Sequence, residues 1–175
     1  EMCIRDRNEN LTQLLANLQR TQKDMAQGVE KRLSGFEPAD VTLDGKTFKA
    51  EPSETKEYEA ALTQFRQGNF DAASKQFIAF VGRYPYSGYS SASLFWLGNA
   101  QYATRDYAAA IANFKAMIKV NPESPRAPEA ALSIANCQTD MKDIKAAKKT
   151  LQDLVAAFPG SEAAASAKDR LAKLK

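Results

Sequence analysis

Residues 94–122 of the 175-residue chain read LFWLGNAQYATRDYAAAIANFKAMIKVNP, and the pattern of apolar residues in them predicts the fold. Apolar residues at helical spacing run from Phe95 to Tyr102, and a second such run extends from Tyr107 to Ile118. The polar residues 104–106 interrupt the pattern, and Pro122 follows the last turn, where it cannot continue a helix. The stretch therefore predicts two helices joined by a short turn.

The same pattern recurs upstream and downstream at a constant spacing of 37 residues. The residues that align in all three copies are Ala73, Ala110 and Ala147; Phe77, Phe114 and Leu151; and Pro85, Pro122 and Pro159. Three copies predict three stacked helix pairs that share a core. Residues 161–175 continue the register as a lone first helix, of the kind that caps the exposed end of a repeat array.

Small residues occupy equivalent positions in the predicted helix pairs. Gly98 corresponds to Ala61 and Ala135, which marks a point where two helices approach closely. Cys137 corresponds to Ala100 and is interpreted as a small residue in a helix contact rather than as a reactive thiol.

Residues 94–122 resemble the tetratricopeptide family through the run Leu97-Gly98, the pair Asp106-Tyr107 and the later Ala110, Phe114 and Pro122. That family has a period of about 34 residues; here the three extra residues fall in the turn between repeats. The predicted fold is all-α, with three helix pairs and a C-terminal capping helix after an N-terminal coiled-coil helix.

The first helices of such repeats line a groove, and their side chains are the predicted partner-binding residues. They are Tyr58, Leu62, Phe65 and Arg66 in the first copy; Phe95, Asn99 and Tyr102 in the second; and Leu132, Asn136 and Thr139 in the third. Amides both donate to and accept from a peptide backbone, and aromatic rings supply apolar anchors. The alternative is that the aromatic residues belong to the repeat core. That interpretation is favoured for Phe65 and Trp96, and for Phe95 both stay open.

Residues 8–34 predict a helix with a heptad seam. The seam positions are Leu11, Leu15, Leu18, Gln22, Met25 and Val29. Such a narrow apolar seam favours a coiled-coil oligomer, and a polar residue at Gln22 can set its register and copy number. The alternative is an amphipathic helix that packs back on the repeats.

Residues 35–54 separate this helix from the repeat domain at 55–175, and their composition is that of a linker. Asp44-Gly45 lies between Val41 and Phe48, which is a short hairpin signal. Because a lone two-stranded hairpin is marginally stable in water, the segment is either a hairpin or an extended linker that orders against a partner.

Composition and charge argue for a binding protein rather than an enzyme. The chain has no histidine, so it lacks the commonest general base. Its two cysteines are far apart in the sequence, and we therefore predict no metal site and no cofactor. The net charge of +3 is too small to indicate nucleic acid binding. Residues 142–175 carry eight basic and four acidic side chains, either a face for an anionic partner or, as we favour, ordinary solvated helices.

The ends of the chain give further expectations. No run of about 18 apolar residues exists, so no transmembrane segment is predicted. Residues 1–7, EMCIRDR, fit no later pattern and are interpreted as a non-native adapter string, so that Cys3 carries no weight. An export signal is expected to be missing from this fragment.

The order of a heptad helix, the segment VTLDGKTF and repeats with FWLGN and RDY resembles the Tol-Pal-associated CpoB (YbgF) family of Gram-negative bacteria over residues 9–175. The resemblance implies a periplasmic adaptor that binds TolA and a penicillin-binding peptidoglycan synthase. It also implies a role in coordinating cell-wall synthesis with outer-membrane constriction at cell division, and a trimer formed by the N-terminal helix. Two alternatives remain at this point: a scaffold of an outer-membrane protein assembly complex, and an accessory to a catalytic domain.

Overall fold

The computed structural model describes residues 2–173, without the side chains of residues 2, 3, 4, 6 and 34. The interpretation of residues 1–7 as non-native, and with it Cys3, falls mainly on these positions and lies outside the described residues. The chain divides into two compact units, Glu1–Pro38 and Ala39–Lys175.

The first unit is helical. Helix α1 runs from Met2 to Leu33 and is followed by a single 3-10 turn, Ser34–Phe36. The apolar side chains of the heptad seam lie on its surface: Leu11, Leu18 and Val29 are between 53% and 69% exposed. The apolar stripe of the helix is therefore exposed in the single chain. The oligomer that the seam predicts stays a prediction.

The second unit begins with a β-hairpin of strands β1 (Ala39–Leu43) and β2 (Lys46–Ala50). The strands are antiparallel, and Val41 pairs with Phe48. Asp44 and Gly45 form the turn with φ of 51° and 78°, the left-handed conformation that a two-residue hairpin loop requires. The hairpin of the linker segment is thus formed within the chain, and it packs on the chain's own repeats.

Three helix pairs follow the hairpin, with bounds that repeat every 37 residues. The pairs are α2 (Pro52–Arg66) with α3 (Phe70–Arg83), α4 (Ser90–Ala103) with α5 (Tyr107–Val120), and α6 (Ala127–Asp140) with α7 (Ile144–Ala157). Helix α8 (Glu162–Lys173) packs on α6 and α7. The predicted fold of three helix pairs, a final helix and an N-terminal helix is confirmed.

Local sequence explains where these helices begin. Pro52 lies in the first turn of α2, where its missing N–H costs no helical hydrogen bond, so α2 begins three residues before the predicted domain boundary. The carboxylates of Asp106 and Asp143 accept hydrogen bonds from the N–H groups of Ala109 and Ala146, which caps α5 and α7.

The core consists of one buried cluster per repeat. The clusters centre on Phe77 and Phe80, on Phe114 and Met117, and on Leu151 and Leu154. Of the helices within residues 2–173, none is long and apolar enough to cross a bilayer.

Candidate partner-binding face

The predicted groove residues lie on the first helices of the repeats, which are neighbours in the fold. Helix α2 contacts α4, α4 contacts α6, and α6 contacts α8. We call the surface that these four helices share the first-helix face. Its side chains fall into a covered part, near the hairpin, and an open part, near α8.

Three of the predicted groove residues belong to the covered part. Tyr58, Leu62 and Phe95 are only 2%, 5% and 1% exposed, so their side chains lie within the repeat core. Tyr58 stacks on Tyr89, with ring centroids 4.4 Å apart and an angle of 23° between the planes. Burial raises the pKa of Tyr58 to about 12 because the charged phenolate would lose its hydration.

The side chain that covers the position of Tyr58 differs from one repeat to the next. Tyr89, Arg126 and Ala163 are 37 residues apart. Tyr89 and Arg126 directly precede α4 and α6, and Ala163 is the second residue of α8. Tyr89 covers Tyr58, and the guanidinium carbon of Arg126 lies 5.2 Å from the ring centroid of Phe95. Ala163 is too small to cover the next residue in the series, Leu132, and the two line an open cavity of about 390 Å³.

Phe65 and Arg66 end the first helix of the first repeat. Phe65 is half-buried, with its ring 5.3 Å from that of Phe70 and 5.0 Å from that of Trp96. Arg66 is exposed. In this repeat the long cationic side chain is thus the predicted groove residue that is most accessible to a partner.

Asn99 and Asn136 occupy equivalent positions but are partnered differently. The Asn99 Nδ2 donates to the carbonyl of Phe95 at 2.9 Å, within its own helix. Arg170 of α8 donates to the Oδ1 of Asn136. Both side chains are half-exposed. The Oδ1 of Asn99 is therefore available to accept a hydrogen bond from a ligand. A ligand that binds Asn136 also contacts Arg170, because the two side chains are hydrogen-bonded.

The last two predicted residues lie at the far end of α4 and α6. The hydroxyl of Tyr102 donates to the carboxylate of Asp140 at 2.8 Å, and this hydrogen bond, with a contribution from burial, raises the pKa of Tyr102 to about 12. Thr139 donates to the carbonyl of Ala135 at 2.8 Å. A second cavity, of about 240 Å³, lies beside Thr139 and has Arg170 and Lys173 on its rim.

The hairpin closes the covered part of the face. The Nε of Arg126 donates to both carboxylate oxygens of Asp44 at 2.8 Å. The ring of Phe48 meets the edge of Tyr89 at 5.0 Å, and it lies directly against Gly88, where a Cβ atom would collide with it. The Nζ of Lys46 donates to the Oδ1 of Asn121 at 2.7 Å.

Sequence reasoning missed the roles of Arg126, Asp44 and Gly88. One signal was present: in the 37-residue register an arginine replaces the aromatic residue of the first junction, and both cover the same position. Trp96 was favoured as a core residue, and it is half-buried, with the Arg126 guanidinium carbon 5.1 Å from the centroid of its ring. The contact of Asp44 with Arg126 joins residues 82 positions apart and has no local signal.

Cys137 lies in the core cluster of the second repeat and is fully buried, as its equivalence to Ala100 predicted. Burial raises the pKa of its thiol to about 11, which keeps it protonated and unreactive at neutral pH. Between residues 2 and 173 no group of three or more acidic or cysteine side chains is placed to hold a metal ion.

Comparison with known proteins gives a family and a fold. The family described as "YfiO: Outer membrane lipoprotein" matches residues 50–175. A stretch of 49 residues is 41% identical to the cell division coordinator CpoB of Pseudomonas putida; it covers 28% of this chain and 18% of that protein. These matches confirm the resemblance predicted from the sequence, although the matched stretch spans less than a fifth of the curated relative.

Solved structures share the fold at low sequence identity. PcrH from Pseudomonas aeruginosa superposes with a TM-score of 0.60 at 19% identity, over 71% of this chain and 93% of PcrH. The Yersinia enterocolitica type III secretion chaperone SycD, solved with a peptide of the translocator YopD, superposes with a TM-score of 0.59 at 18% identity, over 71% and 91%. At such identities the likeness shows the repeat fold alone.

Proposed function

The chain belongs to the YfiO outer membrane lipoprotein family, and from that premise we propose that it is a non-enzymatic adaptor whose repeats bind a segment of a protein partner. The observation that carries the proposal is the open part of the first-helix face. There the covering side chain is reduced to Ala163, and Leu132 lines a cavity of about 390 Å³. Its apolar lining by Leu132, Ala163 and two prolines suits one apolar anchor side chain of a bound segment. Glu129 and Glu162 add carboxylates to the same cavity.

Polar groups elsewhere on the first-helix face suit a peptide backbone. Asn99 offers an amide oxygen, and Asn136 and Arg170 together offer donors toward the same face. SycD, which has the same fold, has been solved with a bound peptide. That precedent supports a peptide ligand for this chain.

We propose that the chain has the binding partners and the cellular location of the CpoB family. The adaptor would act in the periplasm, bind TolA and a penicillin-binding peptidoglycan synthase, and coordinate wall synthesis with outer-membrane constriction during cell division. The identity of 41% to CpoB over 49 residues supports this choice. The exposed seam of α1 supports self-association through the N-terminal helix, because an apolar stripe in water is stabilised when copies pack together. We propose a trimer because the resemblance to the CpoB family implies one.

The test of the binding face uses the double variant Asn99→Ala with Asn136→Ala. We expect it to bind the periplasmic part of TolA at least tenfold more weakly by titration calorimetry, with helix content unchanged by circular dichroism. A matched control is Gln152→Ala, which removes an exposed amide from α7, outside the face. Equal affinity for the double variant and the control would overturn the assignment of the face.

A second candidate function is a scaffold of an outer-membrane protein assembly complex. It is favoured by one observation, the match of residues 50–175 to a family described as an outer membrane lipoprotein. The intact upstream gene sequence separates the two candidates. A lipobox cysteine supports the assembly scaffold, whereas a plain signal peptide and neighbouring tol and pal genes support the cell-division adaptor.

A further inference from the structure

The tip of the hairpin presents a carboxylate to a cation that lies on aromatic rings. Asp44 lies in the turn of the hairpin with a left-handed backbone conformation, and Arg126 directly precedes α6. The side chains of the pair are 14% and 25% exposed, so the interaction is mostly shielded from water. On its other side the Arg126 guanidinium lies over the rings of Phe95 and Trp96.

This arrangement has the parts of a site that recognises a peptide. A planar cation binds a carboxylate through its Nε, aromatic rings form the floor, and a glycine at position 88 leaves a slot for one ring. In the structure the chain's own hairpin occupies two of these parts: Asp44 binds the cation, and the ring of Phe48 fills the slot at Gly88.

The hairpin is more lightly attached than the helices that it covers. Of its ten strand residues Ala50 alone is fully buried, whereas Val41, Leu43 and Phe48 are half-buried and the other six are exposed. Two strands have no independent stability, so the hairpin's order depends on these few contacts. Segments with so little burial open locally more often than the helical core does.

We propose that the surface between Gly88 and Arg126 is a second binding site that takes an extended segment of a protein partner with a carboxylate side chain for Arg126. The hairpin is the displaceable internal occupant of this site. The hairpin itself indicates the ligand's chemistry: apolar residues alternate at Val41 and Leu43, and a carboxylate follows at Asp44. The proposal rests on the proposed function only in that the ligand is a protein segment. The site is separate from the open cavity at Leu132.

Trp96 is the single tryptophan of the chain and lies in this site, so its fluorescence reports the occupant. The probe is the blocked synthetic peptide ADVTLDGKTFKA, which is the chain's own residues 39–50. The full chain is compared with an unlatched full chain that carries Asp44→Asn and Phe48→Ala, changes confined to the hairpin. Quenching of Trp96 by acrylamide measures whether the face is covered.

In the unlatched chain we expect Trp96 to be at least twofold more accessible to acrylamide, and the added peptide to restore its protection. In the unaltered chain we expect the peptide to bind at least tenfold more weakly, because the tethered hairpin competes at a high effective concentration. A peptide carrying the asparagine in place of Asp44 should bind the unlatched chain at least tenfold more weakly than the native peptide. In an unlatched chain that also carries Arg126→Gln, the two peptides should bind alike.

A peptide that fails to bind the unlatched chain overturns the proposal, and so does a Trp96 that stays protected there. Should the unlatched chain lose helix content, hydrogen exchange of the unaltered chain decides. Amides of β2 that exchange at least tenfold faster than those of α4 support a displaceable hairpin, and equal protection refutes it. TolA binding to the open cavity is scored separately, so either proposal can fail alone.

Discussion

Gly98 on α4 and Phe114 on α5 are in direct contact, with no space for a side chain between them. A Cβ atom on Gly98 would lie 2.8 Å from the ring of Phe114, which is itself fully buried. We expect Gly98→Ala to lower the free energy of unfolding by about 1–3 kcal/mol, because the ring must shift within a packed core. Urea unfolding followed by circular dichroism measures the change.

The matched control is Gly82→Ala in α3, where nothing lies within 4 Å of the added carbon. There the free energy of unfolding should stay the same or rise by up to about 1 kcal/mol, since alanine favours the helix. Equal losses at the two glycines would show that helix propensity, not contact with Phe114, explains the glycine at position 98.

Each helix pair turns through a left-handed residue at the same place in the repeat. Gly68, Arg105 and Lys142 have φ of 80°, 65° and 65°, a conformation that costs a side chain about 1–2 kcal/mol. Glycine avoids that cost, although its greater freedom in the unfolded chain offsets part of the gain. We expect Lys142→Gly to raise the free energy of unfolding by about 0.5–1 kcal/mol and Gly68→Ala to lower it by a similar amount.

Lys149→Gly is the control for this prediction, at an exposed position in the middle of α7. It should destabilise the chain by about 1 kcal/mol, as glycine does in an exposed helix interior. If glycine at 142 destabilised as much as at 149, the left-handed turn would not be the source of strain.

The sequence predicted the helix pairs well because their register is carried by short-range patterns. Ala110, Phe114 and Pro122 each sit where the spacing of 37 requires, and the helix bounds follow them. The covered half of the binding face was not predicted, because it depends on how far side chains reach between repeats. The Arg126 guanidinium lies over Phe95, and it is bound in turn by Asp44 on a separate element.

Two tyrosines make the stability of the repeats fall in alkaline solution. The pKa values of Tyr58 and Tyr102 are both raised from 10 to about 12, by burial and by the hydrogen bond to Asp140 respectively. The folded state thus holds these protons more tightly than the unfolded state. Their contribution is fully present below pH 10 and is lost as the pH rises from about 10 to about 12.

Tyr102→Phe tests this pH dependence, since it removes one of the two hydroxyls. We expect the loss of stability between pH 9 and pH 11, measured by urea unfolding, to be smaller in this variant than in the unaltered chain. Tyr86→Phe changes a ring that is 99% exposed, and it should keep the unaltered profile. A Tyr102→Phe profile that matched the control would contradict the assigned role of the Asp140 hydrogen bond.

The apolar seam of α1 predicts that the chain forms an oligomer in solution. Leu18 is 69% exposed in the single chain, so Leu18→Asp should leave the helix intact within one copy but place a charge in the proposed oligomer interface. We expect the molar mass of the full chain, measured by light scattering, to fall from that of an oligomer to that of a monomer. Gln13→Asp, an exposed residue on the side of the helix opposite the seam, should keep the oligomer. A monomeric unaltered chain would refute the coiled coil outright.

The series Tyr89, Arg126 and Ala163 makes the sharpest prediction about the open part of the first-helix face. Ala163 and Leu132 line one cavity, at the position where Tyr89 covers Tyr58 in the first repeat. Ala163→Tyr should therefore cover Leu132 and weaken the binding of TolA at least tenfold, because the anchor side chain of the partner loses its place. Titration calorimetry measures the affinity.

Ala165→Tyr is the control, because it adds the same ring at an exposed position two residues along α8. Both variants should keep their helix content, so that only the affinity for TolA separates them. If Ala163→Tyr bound TolA as tightly as Ala165→Tyr does, the partner would not use the cavity at Leu132. The face would then have to be sought at Arg66 or at the second cavity beside Thr139, where side chains also remain accessible.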